Sequence, residues 1–140
     1  AARNTLRRDV AADRRLALVI LDQLTGLRQQ PLQIPLPHDG RARRAAEILL
    51  ARHGALPLPR VAKLVGSSMR TLERTFLAET GLTAGAWRRR ARLGAALRLL
   101  AAAQSVTEVA IAVGYQTPSA FIAAFRREFG ITPGRYYATP

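Results

Sequence analysis

Val61-Ala62-Lys63-Leu64-Val65-Gly66 and Val109-Ala110-Ile111-Ala112-Val113-Gly114 stand 48 residues apart and share Val, Ala, Val and Gly at matching places. A second set follows at an offset of 49, where Leu72, Phe76, Glu79, Gly81, Thr83, Gly85 and Trp87 answer to Phe121, Phe125, Glu128, Gly130, Thr132, Gly134 and Tyr136. The extra residue falls in the turn after Gly114, where an insertion is best tolerated. Each copy reads as a short helix, a glycine-containing turn and a second helix with large apolar residues at i and i+4, which is the helix-turn-helix pattern. Gly66 and Gly114 sit in the turns, where a residue free to take positive φ is favoured. An ordinary helical hairpin repeated in a bundle shares this pattern, and charge separates the two readings.

Between the copies, residues 84–103 read as one helix of ~20 residues, hence ~30 Å long. Breaks at Gly54 to Pro59, Gly66-Ser67, Gly81 to Thr83, Gln104-Ser105, Gly114 to Thr117 and Gly130 to Thr132 divide the chain from Asp39 onward into seven helices. Asp39 is the expected first N-cap, Ser105 with Glu108 makes a capping box, and Thr117-Pro118 and Thr132-Pro133 each place a cap before a proline at the first helical position. No alternation of strand type competes, so the fold class is all-α. Upstream, Leu6, Val10, Ala17, Ile20, Leu24 and Leu27 recur at helical spacing and make residues 5–29 an amphipathic helix. Pro31, Pro35 and Pro37 then mark 30–38 as an extended linker. The chain starts at Ala1 rather than Met, and a fragment of a longer polypeptide is expected.

The 140 residues carry 22 basic and 9 acidic side chains, a net charge of +13, and Lys63 is the one cation that is not Arg. Residues 41–140 hold +11 of that charge, so a polyanionic partner is expected to meet this part. Cysteine is absent, which excludes disulfides, thiolate metal sites and cysteine nucleophiles. His38 and His53 stand apart from each other and from carboxylates, so no metal site and no cofactor is expected. No Gly-rich phosphate loop or paired-carboxylate motif points to an enzyme. No apolar run approaches the ~20 residues that cross a bilayer, so no membrane partner is expected and the compartment read here is the cytoplasm.

From about Arg41 to Tyr137 the chain resembles the DNA-binding domain of AraC/XylS-type bacterial transcription regulators. The resemblance is carried by Val106-Thr107-Glu108-Val109-Ala110, Val113-Gly114-Tyr115, Phe121, Phe125-Arg126-Arg127-Glu128-Phe129-Gly130 and Thr132-Pro133-Gly134-Arg135-Tyr136. The first unit echoes it in Ser68 to Phe76 and Glu79-Thr80-Gly81, and the connecting helix in Arg92-Leu93, Ala96 and Leu99-Leu100. The resemblance implies a DNA-binding domain over 39–140, with helix-turn-helix units at about 60–81 and 106–130. It implies that the third and sixth helices enter adjacent major grooves of double-stranded DNA, and that the domain contacts RNA polymerase. It further implies a preceding sensory domain with an effector of unknown identity, and residues 5–29 resemble the dimerisation helix of such proteins, so a homodimer is expected through them.

In the first unit, Leu72 and Phe76 should face inward, which leaves Arg70, Glu73 and Arg74 as base readers. Arg pairs bidentately with guanine and Glu accepts from cytosine. Glu73 pairing with a neighbouring Arg on a solvated face is the plainer alternative. In the second unit the corresponding face is poor in hydrogen-bonding groups, and Gln116, Ser119, Ile122 and Ala123 are the base-reading candidates, Ala or Ile being able to touch a thymine methyl. Phosphate contacts are expected from Ser68, Thr71, Arg89, Thr117, Arg126 and Arg127. Arg88, Arg90 and Arg92 share the connecting helix with Arg89, and Arg92 fits a structural role at a helix end as well as it fits a phosphate contact. A module that coats nucleic acid without sequence preference, or a protein-interaction bundle, remains the alternative to sequence-specific DNA binding and regulation of transcription.

Overall fold

The computed structural model describes residues 33–137. These form α1 (Gly40–Ala51), α2 (Leu58–Val65), α3 (Met69–Thr80), α4 (Ala84–Ala101), α5 (Val106–Ala112), α6 (Pro118–Phe129) and α7 (Pro133–Tyr137), with no strand among them. The helix expected over 5–29 lies outside the described residues.

Cap chemistry sets the helix boundaries. The Asp39 carboxylate accepts from the amides of Arg41 and Ala42, Ser68 from Thr71, Thr83 from Ala86, and Thr117 from Ala120. Ser105 and Glu108 close a reciprocal capping box at the start of α5. Gly66 (φ 70°) and Gly114 (φ 84°) occupy the left-handed region in the two turns.

The repeat is as plain in the packing as in the sequence. In the first unit Phe76 meets Trp87 edge-on, with centroids 5.4 Å apart. At the matching positions of the second unit Phe125 meets Tyr136 in the same manner at 5.6 Å. Leu72, Phe76, Phe121 and Phe125 are all buried, so each unit wraps its own apolar centre. In the first unit Ala42, Ala45 and Ala46 let α1 lie close against α2, α3 and α4. In the second, Val109, Ala110 and Val113 of the α5 stretch are buried as the two phenylalanines are, α5 packs against α6, and the Tyr137 hydroxyl ties α7 back to α4 by donating to the Leu97 carbonyl (2.8 Å).

Helix α4 belongs to both halves. The Arg88 guanidinium donates through Nε to the carbonyls of Gly54 and Leu56, both at 2.9 Å, and through Nη2 to that of Ala55 (3.1 Å). One turn later, Arg92 Nε donates to the Val113 carbonyl (2.8 Å) at the end of α5, with its guanidinium 3.6 Å from the centre of the Tyr115 ring. The loop before α2 and the turn after α5 are therefore gripped by neighbouring arginines of one helix. Burial lowers both arginines' pKa, and for Arg88 the charge of Arg92 adds to the effect. Arg92 thus takes the structural role open to it, and Arg88 joins it there rather than among the surface cations.

The two turns also touch. A Cβ on Gly114 would lie 2.7 Å from the Ala55 Cα and 2.9 Å from its carbonyl oxygen, and one on Gly54 would lie 2.6 Å from the Arg92 Cγ. Only glycine lets the backbones approach this closely.

The stretch read as a linker over 30–38 is, from Ile34 on, part of the folded unit, whose boundary falls after Gln33. The Trp87 indole donates to the Pro35 carbonyl (2.7 Å), Pro37 is fully buried, and Glu79 accepts from the amides of His38 (2.7 Å) and Asp39 (3.1 Å). The prolines that forbid a helix here fix an extended strap whose carbonyl and amide groups find partners on α3 and α4.

Gly114→Ala is expected to cost roughly 3 kcal/mol in a urea melt, combining positive φ with a backbone clash. Gly66→Ala, where a Cβ meets nothing within 4 Å, should cost ~1 kcal/mol; equal losses would contradict the contact between the turns. Arg88→Ala or Arg92→Ala should each lose ~2 kcal/mol of stability as charged hydrogen bonds to backbone disappear. Arg89→Ala, on an exposed side chain, should leave stability within ~0.5 kcal/mol. A stability loss at Arg89 equal to that at Arg88 would overturn this separation.

Candidate nucleic-acid interface

The outward face of α3 is built by exclusion. With Leu72 and Phe76 at 1% and 0% exposure, Arg70 and Arg74 project together on the opposite side, one turn apart and exposed. Ser68 starts this helix: its oxygen accepts from the Thr71 amide (3.1 Å) and its hydroxyl donates to Thr71 Oγ1 (2.9 Å). Ser68 is exposed and Thr71 half-buried at the N-terminal end of the same face.

Glu73 departs from expectation. Its Oε2 accepts the Ala84 amide hydrogen at 2.8 Å, in the first turn of α4, and the residue is half-buried. One oxygen of this half-buried carboxylate is thereby committed to an orphan helix N–H, so the structure gives Glu73 the part of a brace between α3 and α4. The second unit carries the matching change: at the offset of 49, Ala84 becomes Pro133, which has no amide hydrogen, and Glu73 becomes Ile122. Where the donor is missing, the acceptor is missing too.

At the same offset Arg70 and Arg74 correspond to Ser119 and Ala123. On α6 both are exposed, Ile122 is half-buried, and Phe121 and Phe125 turn inward. Ser119, Ile122, Ala123, Arg126, Arg127 and Thr132 surround one open concavity of about 610 Å³. The structure therefore brings together five of the residues singled out on α6. Gln116 and Thr117 are exposed at its entry, and the Thr117 oxygen accepts from the Ala120 amide (3.1 Å). Arg89 lies apart, exposed on α4.

A second, smaller hollow of about 300 Å³ lies between the starts of α1 and α3 and places Arg41 beside Ser67 and Thr71. Sequence reasoning passed over Arg41, since the approach of α1 to α3 is a tertiary contact with no local signal.

Charge across the interface is left uncompensated. Between residues 33 and 137 there are 16 Arg or Lys and six carboxylates. Asp39, Glu73, Glu79 and Glu108 all accept from backbone amides. Hydrogen bonds from Ser105 hold the Glu108 carboxyl below its ordinary pKa. The sole salt bridge among the described residues is Arg43 with Glu47 (3.3 Å). Arg70, Arg74, Arg89, Arg126 and Arg127 thus face solvent without an ionic partner among those residues, a positive surface suited to phosphates. No helix among the described residues is long and apolar enough to cross a membrane, and no cluster of metal-ligating side chains occurs among them.

Comparison with known proteins agrees with this geometry. The family profile described as "Helix-turn-helix domain" matches residues 61–139. The HTH-type transcriptional regulator NimR of Escherichia coli (strain K12) is 36% identical over 99% of this chain, which spans 51% of that protein, about half its length. The DNA-binding domain of AdpA, a global transcriptional factor solved in complex with a target DNA, superposes with a TM-score of 0.65 at 30% identity, over 71% of this chain and 92% of that domain. An AraC-type transcriptional regulator from Chromobacterium violaceum superposes with a TM-score of 0.62 at 28% identity, over 70% of this chain and 89% of its own. The chain belongs to the AraC-type helix-turn-helix family of DNA-binding transcriptional regulators.

Proposed function

We propose that this chain is the DNA-reading part of a bacterial regulator of transcription initiation, placing α3 and α6 in adjacent major-groove segments of one duplex face. The observation that carries the reading is the pairing of two repeat-related helices, each with an inward aromatic or aliphatic row and an exposed outward face, on one 18-residue helix that is ~27 Å long. Successive grooves on one side of B-DNA recur every ~34 Å. The function is binding rather than catalysis, and it is exercised in the cytoplasm, where the chromosome lies.

Roles divide by position. Arg70 and Arg74 read guanine edges from α3, while Gln116, Ser119, Ile122 and Ala123 form the base-facing surface of the second unit. Ser68, Thr71, Arg89, Thr117, Arg126 and Arg127 hold phosphates and so fix register without naming a base. Arg41, beside Thr71, joins the phosphate set. RNA polymerase is the partner through which binding acts on initiation, residues 5–29 pair two copies, and a sensory region preceding them answers to an effector.

Arg70→Ala or Arg74→Ala should relax preference at one base pair, with ~1–3 kcal/mol of discrimination lost there. Arg126→Ala should weaken all sequences about equally. Competition binding against single-base variants separates these outcomes, and uniform weakening from all three would defeat the division of roles. Sedimentation of the full chain and of a chain lacking residues 1–30 should show self-association in the first alone; a monomer in both would remove the pairing role of residues 5–29.

A further inference from the structure

The two reading helices carry their charge at opposite ends. On α3 the cations Arg70 and Arg74 occupy the first half and the exposed residues Leu77 and Ala78 follow; at the matching places α6 carries Ser119 and Ala123 first, then Arg126 and Arg127. The concavity on α6 is lined by the small side chains Ser119 and Ala123, where the first unit has two arginines, and by the half-buried apolar Ile122. Ala123 and Ile122 offer no hydrogen bond to a base, and Ser119 offers one hydroxyl. The major groove presents one apolar feature to such a surface, the thymine 5-methyl group. Short side chains let the helix backbone approach the base edges closely, and cations one turn further along meet the neighbouring phosphates.

Resting on the DNA-reading role proposed above, we infer that the second unit recognises thymine by its 5-methyl group, seated against Ile122 and Ala123, while Arg126 and Arg127 hold the flanking backbone. The protein then reads its site in two chemical languages. The first half-site is recognised by charged hydrogen bonds to guanine, and the second by methyl groups and shape. The proline at 133 makes this possible, since it removes the amide that requires a carboxylate in the first unit and leaves position 122 available to an apolar side chain.

The test alters the DNA, and its one protein variant, Arg70→Ala at an exposed position, serves only to tell the half-sites apart. The duplex preferred by the full chain is found by selection from random sequences, and the first half-site is the one whose preference relaxes in Arg70→Ala. Replacing thymines of the second half-site by deoxyuridine removes only the methyl group and should weaken binding about fourfold per contacted thymine. Cytosine at the same position should weaken it as well, and 5-methylcytosine should restore part of the loss. Replacing guanines of the first half-site by 7-deazaguanine, which lacks the N7 acceptor, should weaken binding through that half. If deoxyuridine has no effect, or the second half-site shows no base preference, methyl reading is overturned while a 7-deazaguanine effect keeps base reading by the first unit intact. Loss of neither kind would overturn both.

Discussion

Two guanidinium groups one helical turn apart hold the halves of this protein to a common frame. Arg88 binds three successive carbonyls before α2, and Arg92 binds the carbonyl that ends α5. Backbone carbonyls are fixed points, unlike the ends of flexible side chains, so each bond sets the place of a turn. The close approach of Gly114 to Ala55 completes the contact. A duplex presents its grooves at a fixed pitch, and two reading helices can use that pitch only if their separation is set in advance. Partial burial of two like charges in neighbouring turns is unfavourable by itself, and the carbonyl oxygens together with the Tyr115 ring face offset it.

The remaining electrostatics follow the same economy of groups. Acidic side chains lie at helix starts and at the strap, where Asp39, Glu73, Glu79 and Glu108 satisfy amides that a helix or an extended segment leaves without partners. Placed there, they stabilise the fold without pairing with the exposed arginines. The surface therefore stays positive although four of the six carboxylates between residues 33 and 137 are engaged in the fold. The strap itself is bonded to the last turn of α3, where Glu79 accepts from the amides of His38 and Asp39.

Much of this was legible in the sequence. The repeat, the glycines at the turns, the serine and threonine caps and the inward rows of α3 and α6 are local or periodic features, and each appears where spacing placed it. What escaped was tertiary. Glu73 and Arg70 look alike as exposed-face candidates in a helical projection, and only the fold shows that α4 begins beside Glu73. Arg88 stands in a run of three arginines that differ in role by the direction each side chain takes, a distinction that no composition carries. The prolines at 35 and 37 correctly ruled out a helix, but the indole that binds Pro35 lies 52 residues further along the chain. The repeat itself carries one signal of the brace, the change of Ala84 to Pro133 together with that of Glu73 to Ile122.

The central claim is that one chain holds two unequal reading helices at a fixed spacing. A selection of random duplexes by the full chain, read out by sequencing, tests it most directly. The account predicts two enriched blocks whose centres lie about one helical turn, ~10 base pairs, apart, one sharply defined and the other shallow. A single block, a spacing that varies freely among recovered duplexes, or no enrichment over random DNA would contradict it.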